Sequence, residues 1–274
     1  MPRPGLPKLV ATDLDGTLVR GDDTVSAYTH QVLDRVRAAG IRVVGATGRG
    51  PRLAELTRND IRAADYLVMA GGGWVVDQSD PAYGPVVLRD ERVPGAVLAG
   101  LLAELERRVG PLTVMVEAMD APDSPLWGDH DPTWRYQERF EARPRADCFT
   151  GDVIKAFARA ADQDVDHLLA IATEVFPPEL ATVTQSGLGF IEICPPRVDK
   201  ATGLAVVADA LGVDPDDVLV FGDMPNDLAM FAWAGWARVA VANAHPSLLA
   251  AADDVTLSND HDGVAFYLDR LLSR

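Results

Sequence analysis

Only two cysteines, Cys148 and Cys194, occur in the 274 residues. That is too few for a disulfide framework and points to a reducing, cytoplasmic setting. No run of about 18 apolar residues is present, so no membrane-spanning helix is expected. The opening stretch, Met1 to Pro7, lacks an apolar core of signal-peptide length and reads as a short loose tail. Positive charge is scarce: 25 Lys and Arg face 41 Asp and Glu, a formal net charge of −16. General affinity for nucleic acid requires a basic surface, so nucleic acid is excluded as a partner. The same charge repels anionic small molecules at long range. An anion site on this chain must therefore rely on cations close at hand. Internal repeats and low-complexity segments are also absent.

Hydrophobic content of 48% and charged content of 24% are ordinary for a globular protein. The length suits one large or two modest domains. Against this plain background four short segments carry chemistry: Asp13-Leu14-Asp15-Gly16-Thr17, Thr47-Gly48-Arg49, Lys200, and Gly222-Asp223-Met224-Pro225-Asn226-Asp227.

Lys8 to Thr12 is a short, mainly apolar run that stops at Asp13, as a buried strand of a parallel sheet does. Ligand sites in such sheets lie beyond the carboxyl ends of the strands. Asp13 and Asp15, two residues apart, point the same way in extended chain, and Gly16 lets the chain turn away. Two carboxylates so close repel, and each tends to hold a proton. A divalent cation relieves that. Mg²⁺ prefers oxygen ligands and binds through one or two carboxylates plus substrate phosphate. The plain alternative is an acidic turn.

Ile41 to Ala46 predicts a second strand, ending at Thr47-Gly48-Arg49. A hydroxyl and backbone N–H groups there suit phosphate oxygens. Arg49 either forks onto a phosphate or carboxylate or is a surface arginine. Lys200 opens a helical stretch running to about Leu211, where a cation opposes the helix dipole and so needs anions nearby. Screening by Asp199 is the plain alternative. Val218 to Phe221 predicts a strand ending at Gly222-Asp223. Helix capping accounts for Asn226 or Asp227, but not for Asp223, which becomes the second candidate metal carboxylate.

Alternation of strand and helix in residues 8–80 and again in 190–274 predicts an α/β fold with a split, doubly wound parallel sheet. Ser26 as cap and Gly40 just beyond the end delimit a helix to Ala39. The long gap between Thr47 and Lys200 must hold an inserted domain. The expected division is a core of 1–82 and 189–274 with an α+β insert at 83–188. The insert should contain helices from Pro94 to Arg108 and Asp164 to Val175. Its strands should lie at Leu112 to Val116, Val153 to Ala160, and near 180–185 and 189–194. The stretch from Asp123 to Arg145 holds Trp127, His130, Trp134, Arg135, Tyr136 and Arg139, a substrate-facing loop or simply insert core.

In order and spacing these segments resemble the haloacid dehalogenase superfamily, in particular its Cof-type phosphatases. The resemblance spans nearly the whole chain. Asp13 to Thr17 is similar to the family's first motif, Thr47 within Ala46 to Arg49 to its second, Lys200 to its third, and Gly222 to Asp227 to its fourth. The tail also resembles the branch, at Val241 to Ala244, Ala251 to Asp253, and Ser258 to Val264. Gly71, in Met69-Ala70-Gly71-Gly72-Gly73-Trp74, stands where the branch usually has asparagine, so any contact of that side chain is lost. Three successive glycines also allow unusual backbone angles at the interface of core and cap.

The resemblance implies a Rossmann-like core with the larger, α+β cap and a Mg²⁺-dependent phosphatase. Asp13 would be the nucleophile and Asp15 the general acid and base. Mg²⁺ would be held by Asp13, the Asp15 backbone carbonyl and Asp223, with Asp227 behind them. Thr47 and Lys200 would stabilise the transferring phosphoryl, and Gly48, Arg49 and Asn226 would contact phosphate or substrate. The substrate would be a small phosphorylated metabolite, such as a sugar phosphate. The expected assembly is a monomer or homodimer. Alternatives are a phosphosugar mutase of the phosphomannomutase type, or a non-catalytic phosphate-ligand-binding protein.

Overall fold

The computed structural model describes residues 5–134, 139–185 and 187–273. The chain opens with β1 (Leu9–Thr12), α1 (Ala27–Ala38), β2 (Arg42–Ala46), α2 (Ala54–Asp60), β3 (Tyr66–Met69), β4 (Trp74–Asp77) and β5 (Val86–Asp90). The insert follows as β6 (Val93–Pro94), α3 (Gly95–Val109), β7 (Leu112–Glu117), β8 (Leu126–Gly128), β9 (Phe140–Ala142), α4 (Arg145–Cys148), β10 (Asp152–Val153), β11 (Lys155–Ala160), α5 (Val165–Val175), β12 (Thr182–Gln185) and β13 (Ile191–Cys194). The chain then returns through α6 (Lys200–Leu211), β14 (Val218–Gly222), α7 (Leu228–Trp233), β15 (Ala237–Ala240), α8 (Pro246–Ala251), β16 (Asp254–Val255) and α9 (Gly263–Leu272).

The first sheet has the order β16-β15-β14-β1-β2-β3-β4-β5. It is parallel from β16 to β3, and β4 and β5 close it as an antiparallel hairpin. Every residue of β1 and β14 is buried, which is why these strands read as unbroken apolar runs rather than alternating ones. The parallel register of Thr12 beside Phe221 and Gly45 sets the carboxyl ends of β1, β14 and β2 side by side. Asp13, Asp223 and Thr47 leave the sheet at those ends. Ser26 caps α1 by accepting the Thr29 N–H, as the sequence leads one to expect.

The second sheet has the order β12-β13-β11-β7-β8-β9. Side chains alternate across its faces. Val114, Val116, Ala156, Ala158, Ile191 and Ile193 pack with Leu98, Leu102 and Leu105 of α3 and with Leu168 and Ala172 of α5 in one apolar layer. The opposite face carries Glu117, Lys155, Phe157 and Glu192, and it turns toward the first sheet.

The strand pairing differs from the expected division at 83–188. β5 belongs to the first sheet and β13 to the second. Val86, Val87 and Leu88 are exposed, so nothing in that apolar run marks its sheet, and a buried Ile-Glu-Ile-Cys run fits either sheet equally. We propose insert limits just after β5 and just after β13. The strand expected from Val153 to Ala160 is two strands, with β10 pairing to β6 and β11 to β7. Between Leu126 and Cys148 lie β8, β9 and α4, which no sequence pattern announced. Both cysteines are free and buried, and among the described residues no helix is long and apolar enough to cross a membrane.

The glycine segment after β3 bends as its composition allows, with φ of 52° at Ala70, 66° at Gly71 and 113° at Gly72. Asparagine tolerates the region that Gly71 occupies, so the exchange there removes a side chain without demanding a new backbone. Gly72 is different. A side chain on it would run into the Asp199 carbonyl at the start of α6. That close approach seats the helix end from which Lys200 projects. Gly72→Ala should cost about 2–4 kcal/mol through overpacking and positive-φ strain. Thermal unfolding checks this, and a Tm within a degree of the parent would show that the approach is not tight.

Candidate active site

Three carboxylates from two strand ends meet one ammonium. Carboxylate oxygens of Asp13, Asp223 and Asp227 lie within 4.8 Å of one another, and all three residues are buried. Lys200, with no exposed surface, donates from Nζ to Asp13 Oδ1 at 2.5 Å and to Asp227 Oδ1 at 2.6 Å. A capping box between Asp199 and Thr202 fixes the helix end that carries it. Asp227 Oδ2 accepts the backbone N–H groups of Asp223 at 2.9 Å and Met224 at 3.0 Å. Asp227 thus ties Lys200 to the Asp223 loop. Asp223 Oδ1 accepts from the Thr17 hydroxyl at 2.7 Å. Gly16, at φ 85°, leaves room for the Asp223 carboxylate where any side chain would collide with it. The Asn243 amide donates to the Gly16 carbonyl at 2.8 Å, and the His245 N–H to the Asp223 carbonyl at 2.7 Å. Residues of the tail therefore brace both acidic loops.

Burial pushes the Asp13 carboxyl upward, although Lys200 opposes this. Burial, then the nearby Asp13 charge, push Asp223 upward as well. Burial alone would lower the Lys200 pKa, but Asp13 and Asp227 more than offset it and hold the ammonium charged. One cation therefore faces three acids, and the cluster is short of positive charge. An all-oxygen donor set with surplus negative charge fits a hard divalent cation. Asp13 and Asp223 are the residues best placed to hold it, since both Asp227 oxygens are already engaged.

Asp15 takes another direction. Arg49 grips its carboxylate with two hydrogen bonds, Nε to Oδ2 at 2.8 Å and Nη2 to Oδ1 at 2.7 Å, and reaches Asp60 Oδ2 with Nη1 at 2.6 Å. Arg49 thus takes the carboxylate partner that the sequence left open beside phosphate, and it lines the same cavity as Asp13. Thr47 is held by backbone bonds to Val68 and Gly71, and its hydroxyl accepts from the Arg49 N–H at 3.1 Å.

Asp13, Asp15, Thr47, Gly48, Arg49 and Asn226 open onto one cavity with about 500 Å³ of empty space, part of it open to solvent. The Asn226 side-chain oxygen is buried with no hydrogen-bond partner among the described residues. The insert closes the other side with Glu117, Lys155, Glu192, Trp134, Phe157 and Leu188. Of the aromatic stretch, Trp134 does both things the sequence left open: it packs on Phe157 and Phe190 and lines the cavity. Trp127 stacks under Arg143, His130 meets Phe140, and Arg139 pairs with Asp123 at 2.9 Å. Arg135 and Tyr136 lie outside the described residues. Glu117, Lys155 and Glu192 were missed. Their only sequence signal is a charge placed within otherwise apolar strands.

Comparison with known proteins agrees with this geometry. The model of the haloacid dehalogenase-like hydrolases matches residues 10–93 and 135–268. A curated relative, the 5-amino-6-(5-phospho-D-ribitylamino)uracil phosphatase YwtE of Bacillus subtilis, is 28% identical over 97% of this chain and 98% of its own length. SMU.1108c from Streptococcus mutans superposes with a TM-score of 0.82 at 19% identity, over 98% of this chain and all of the other. The subclass IIB sugar phosphatase BT4131 superposes with a TM-score of 0.79 at 18% identity, over 96% of this chain and 98% of the other. These two establish the fold alone. The match of motifs, cap and family model places the chain in the haloacid dehalogenase-like hydrolases, in the Cof-type branch, as a phosphoric monoester hydrolase.

Proposed function

We propose that the protein is a Mg²⁺-dependent phosphatase that hydrolyses a small phosphorylated metabolite through an aspartyl-phosphate on Asp13. The observation that carries this reading is the Lys200 bridge between Asp13 and Asp227 beside Asp223, with Asp13 lining the cavity that Asp15, Thr47 and the insert residues also line. Asp13 would attack phosphorus in line while the bond to the leaving oxygen breaks, dividing one hard displacement into two. Asp15 would give its proton to the leaving oxygen. It would then take one from water as that water attacks the aspartyl-phosphate and frees Asp13. For Asp15 to carry that proton one of the two Arg49 hydrogen bonds must give way, while the other keeps the carboxyl directed. Lys200, Thr47 and the backbone at Gly48 would hold the charge that builds on the phosphoryl oxygens. Bound Mg²⁺ would supply the positive charge that lets Asp13 and a phosphate dianion approach each other. Asn226, with its unpartnered amide oxygen, is suited to a substrate hydroxyl.

A sugar or polyol phosphate is the substrate class we favour. The name of the Bacillus subtilis relative, a phosphate on a ribityl chain, fits that class. The test is phosphate release with Mg²⁺ from a panel of sugar phosphates and the ribitylaminouracil phosphate. Turnover of one compound far above the rest supports the reading. Isomerised product without phosphate release would mean a mutase, and ligand binding without turnover a binding protein.

The carboxylate crowding predicts how metal acts on stability. Without metal, Asp13 is pushed up to about 6 and Asp223 to about 9 from an ordinary 3.8. An acid whose folded pKa is raised holds its proton more tightly in the fold than in the unfolded chain. Its contribution to stability is complete below 3.8 and is lost as pH rises through the folded values. The metal-free fold is thus strained most at alkaline pH, where Mg²⁺ binding relieves it. At a hundredfold excess over Kd, Mg²⁺ should add about 2.7 kcal/mol, a Tm increase on the order of 5–11 °C. At one fixed Mg²⁺ concentration the increase should be larger at pH 8 than at pH 5, because protons compete for the same oxygens and raise Kd. Scanning calorimetry at both values checks this, and equal increments would count against the cluster as the metal site.

A further inference from the structure

The wall of the cavity opposite Asp13 is built from charge. Arg52, Glu117, Lys155 and Glu192 line it, and none is more than 3% exposed. Lys155 donates from Nζ to Glu192 Oε2 at 2.9 Å and to the Gly48 carbonyl. Arg52 brings Nε to 3.8 Å from Glu117 Oε2, and its backbone N–H reaches Glu117 Oε1 at 3.4 Å. Three of the four stand on adjacent antiparallel strands: Lys155 is the register partner of Glu117, and Glu192 lies opposite Phe157. Burying four charges costs several kcal/mol per ion before pairing, and apolar residues of similar size are often as stable. A stable wall did not require them, so their presence in a ligand cavity calls for a role in recognition.

By formal charge two positive and two negative groups sum to zero, in contrast to what a second phosphate needs; burial pushes the Glu117 carboxyl upward, while Arg52 and Lys155 oppose this and favour its ionised form. Anion sites carry a surplus of cations or N–H donors. A second phosphate here would meet the buried Glu117 and Glu192 carboxylates, where like charges repel more strongly than in bulk water. Hydroxyl or amide groups, being both donors and acceptors, can share bonds with both members of each pair. Trp134, Phe157 and Leu188 offer the apolar surface that a carbon skeleton would cover. We propose that Arg52, Glu117, Lys155 and Glu192 form a charge-balanced specificity wall that accepts uncharged, hydrogen-bonding leaving groups and rejects those bearing a second phosphate, with Glu117 setting the discrimination. The inference rests on the reading of the Asp13 end as the phosphate site.

The test measures binding, so that it does not depend on turnover. Asp13→Asn with Mg²⁺ at pH 8 is titrated by calorimetry with matched pairs: glucose 6-phosphate against glucose 1,6-bisphosphate, and fructose 6-phosphate against fructose 1,6-bisphosphate. The monophosphate should bind at least about thirtyfold more tightly than its partner. Adding Glu117→Gln, which gives the wall a net positive charge, should shrink that ratio at least about fivefold. Because Glu117 is buried and its variant could disturb packing, the parent enzyme supplies a second reading: kcat/KM should favour each monophosphate over its bisphosphate. Equal or tighter binding of the bisphosphate overturns the proposal. So does a Glu117→Gln change that weakens both members alike, or binding of inorganic phosphate with no sugar phosphate bound. Failure of the phosphatase reading has a different signature: the parent enzyme releases no phosphate, whatever the binding ratios.

Discussion

Asp13→Asn should lower turnover of every phosphomonoester by at least about 10⁴-fold, in the range seen when a covalent nucleophile is removed. The amide is nearly the size of the carboxylate but cannot accept a phosphoryl group. Phosphate release measured over hours against the parent enzyme checks this, and activity within tenfold of the parent would transfer the nucleophile's role elsewhere. The same variant makes an independent stability prediction. Ionised Asp13 is disfavoured in the fold, since burial pushes its carboxyl upward. Removing its charge should therefore raise the Tm of metal-free protein at pH 8, while Lys200 keeps Asp227 as a partner. A lower Tm would mean that the Asp13–Lys200 bond outweighs the desolvation of the carboxylate. Activity and stability should move in opposite directions, as they do where an active site holds groups that the fold alone would not choose.

Lys200→Met should be the most destabilising single change at the site. The side chain is fully buried and its ammonium is bonded to Asp13 and Asp227. Methionine fills much of the volume but leaves three buried carboxylates with no cation among them. Removing one partner of a buried ion pair costs about 3–5 kcal/mol, which lowers Tm by roughly 6–20 °C for a chain of this size. The loss should be partly reversed at pH 5, where Asp13 and Asp223, both pushed upward by burial, hold more protons. It should also be partly reversed by combining the change with Asp13→Asn, because the two residues are in contact and their effects cannot add. Thermal unfolding of the two single variants and the double variant forms the cycle. Strict additivity would refute the network.

The convergence of the candidate site residues was legible in the sequence because most of them sit where a short apolar run stops, and the spacing of the segments makes strand ends converge. Asp13, Lys200, Asp223 and Asp227 form one connected network, and Thr47 and Asn226 face the same cavity. Arg49 stayed open between phosphate and carboxylate because sequence shows that a fork exists but not which group reaches it first. Here Asp15 and Asp60 did. Helices with clear caps, α1 and α6, fell where expected, since capping is local chemistry. Sheet membership of β5 and β13 was not legible, because pairing partners are chosen across the fold and leave no trace in a four- or five-residue run. The specificity wall was harder still. A lone Glu at the end of β7, a Lys opening β11 and a Glu inside β13 are unremarkable separately, and only antiparallel register assembles them.

That register also separates two kinds of change open to a gene of this design. The proposed nucleophile and metal carboxylates come from strand ends of the first sheet, and three of the proposed wall residues come from neighbouring strands of the second. A duplicated copy could therefore drift toward a new metabolite by exchanging one cross-strand pair at a time, each step leaving the reactive centre untouched. Laboratory selection for a new substrate should follow the same path, with early winners clustering at 117, 155 and 192 rather than at 13, 200 or 223.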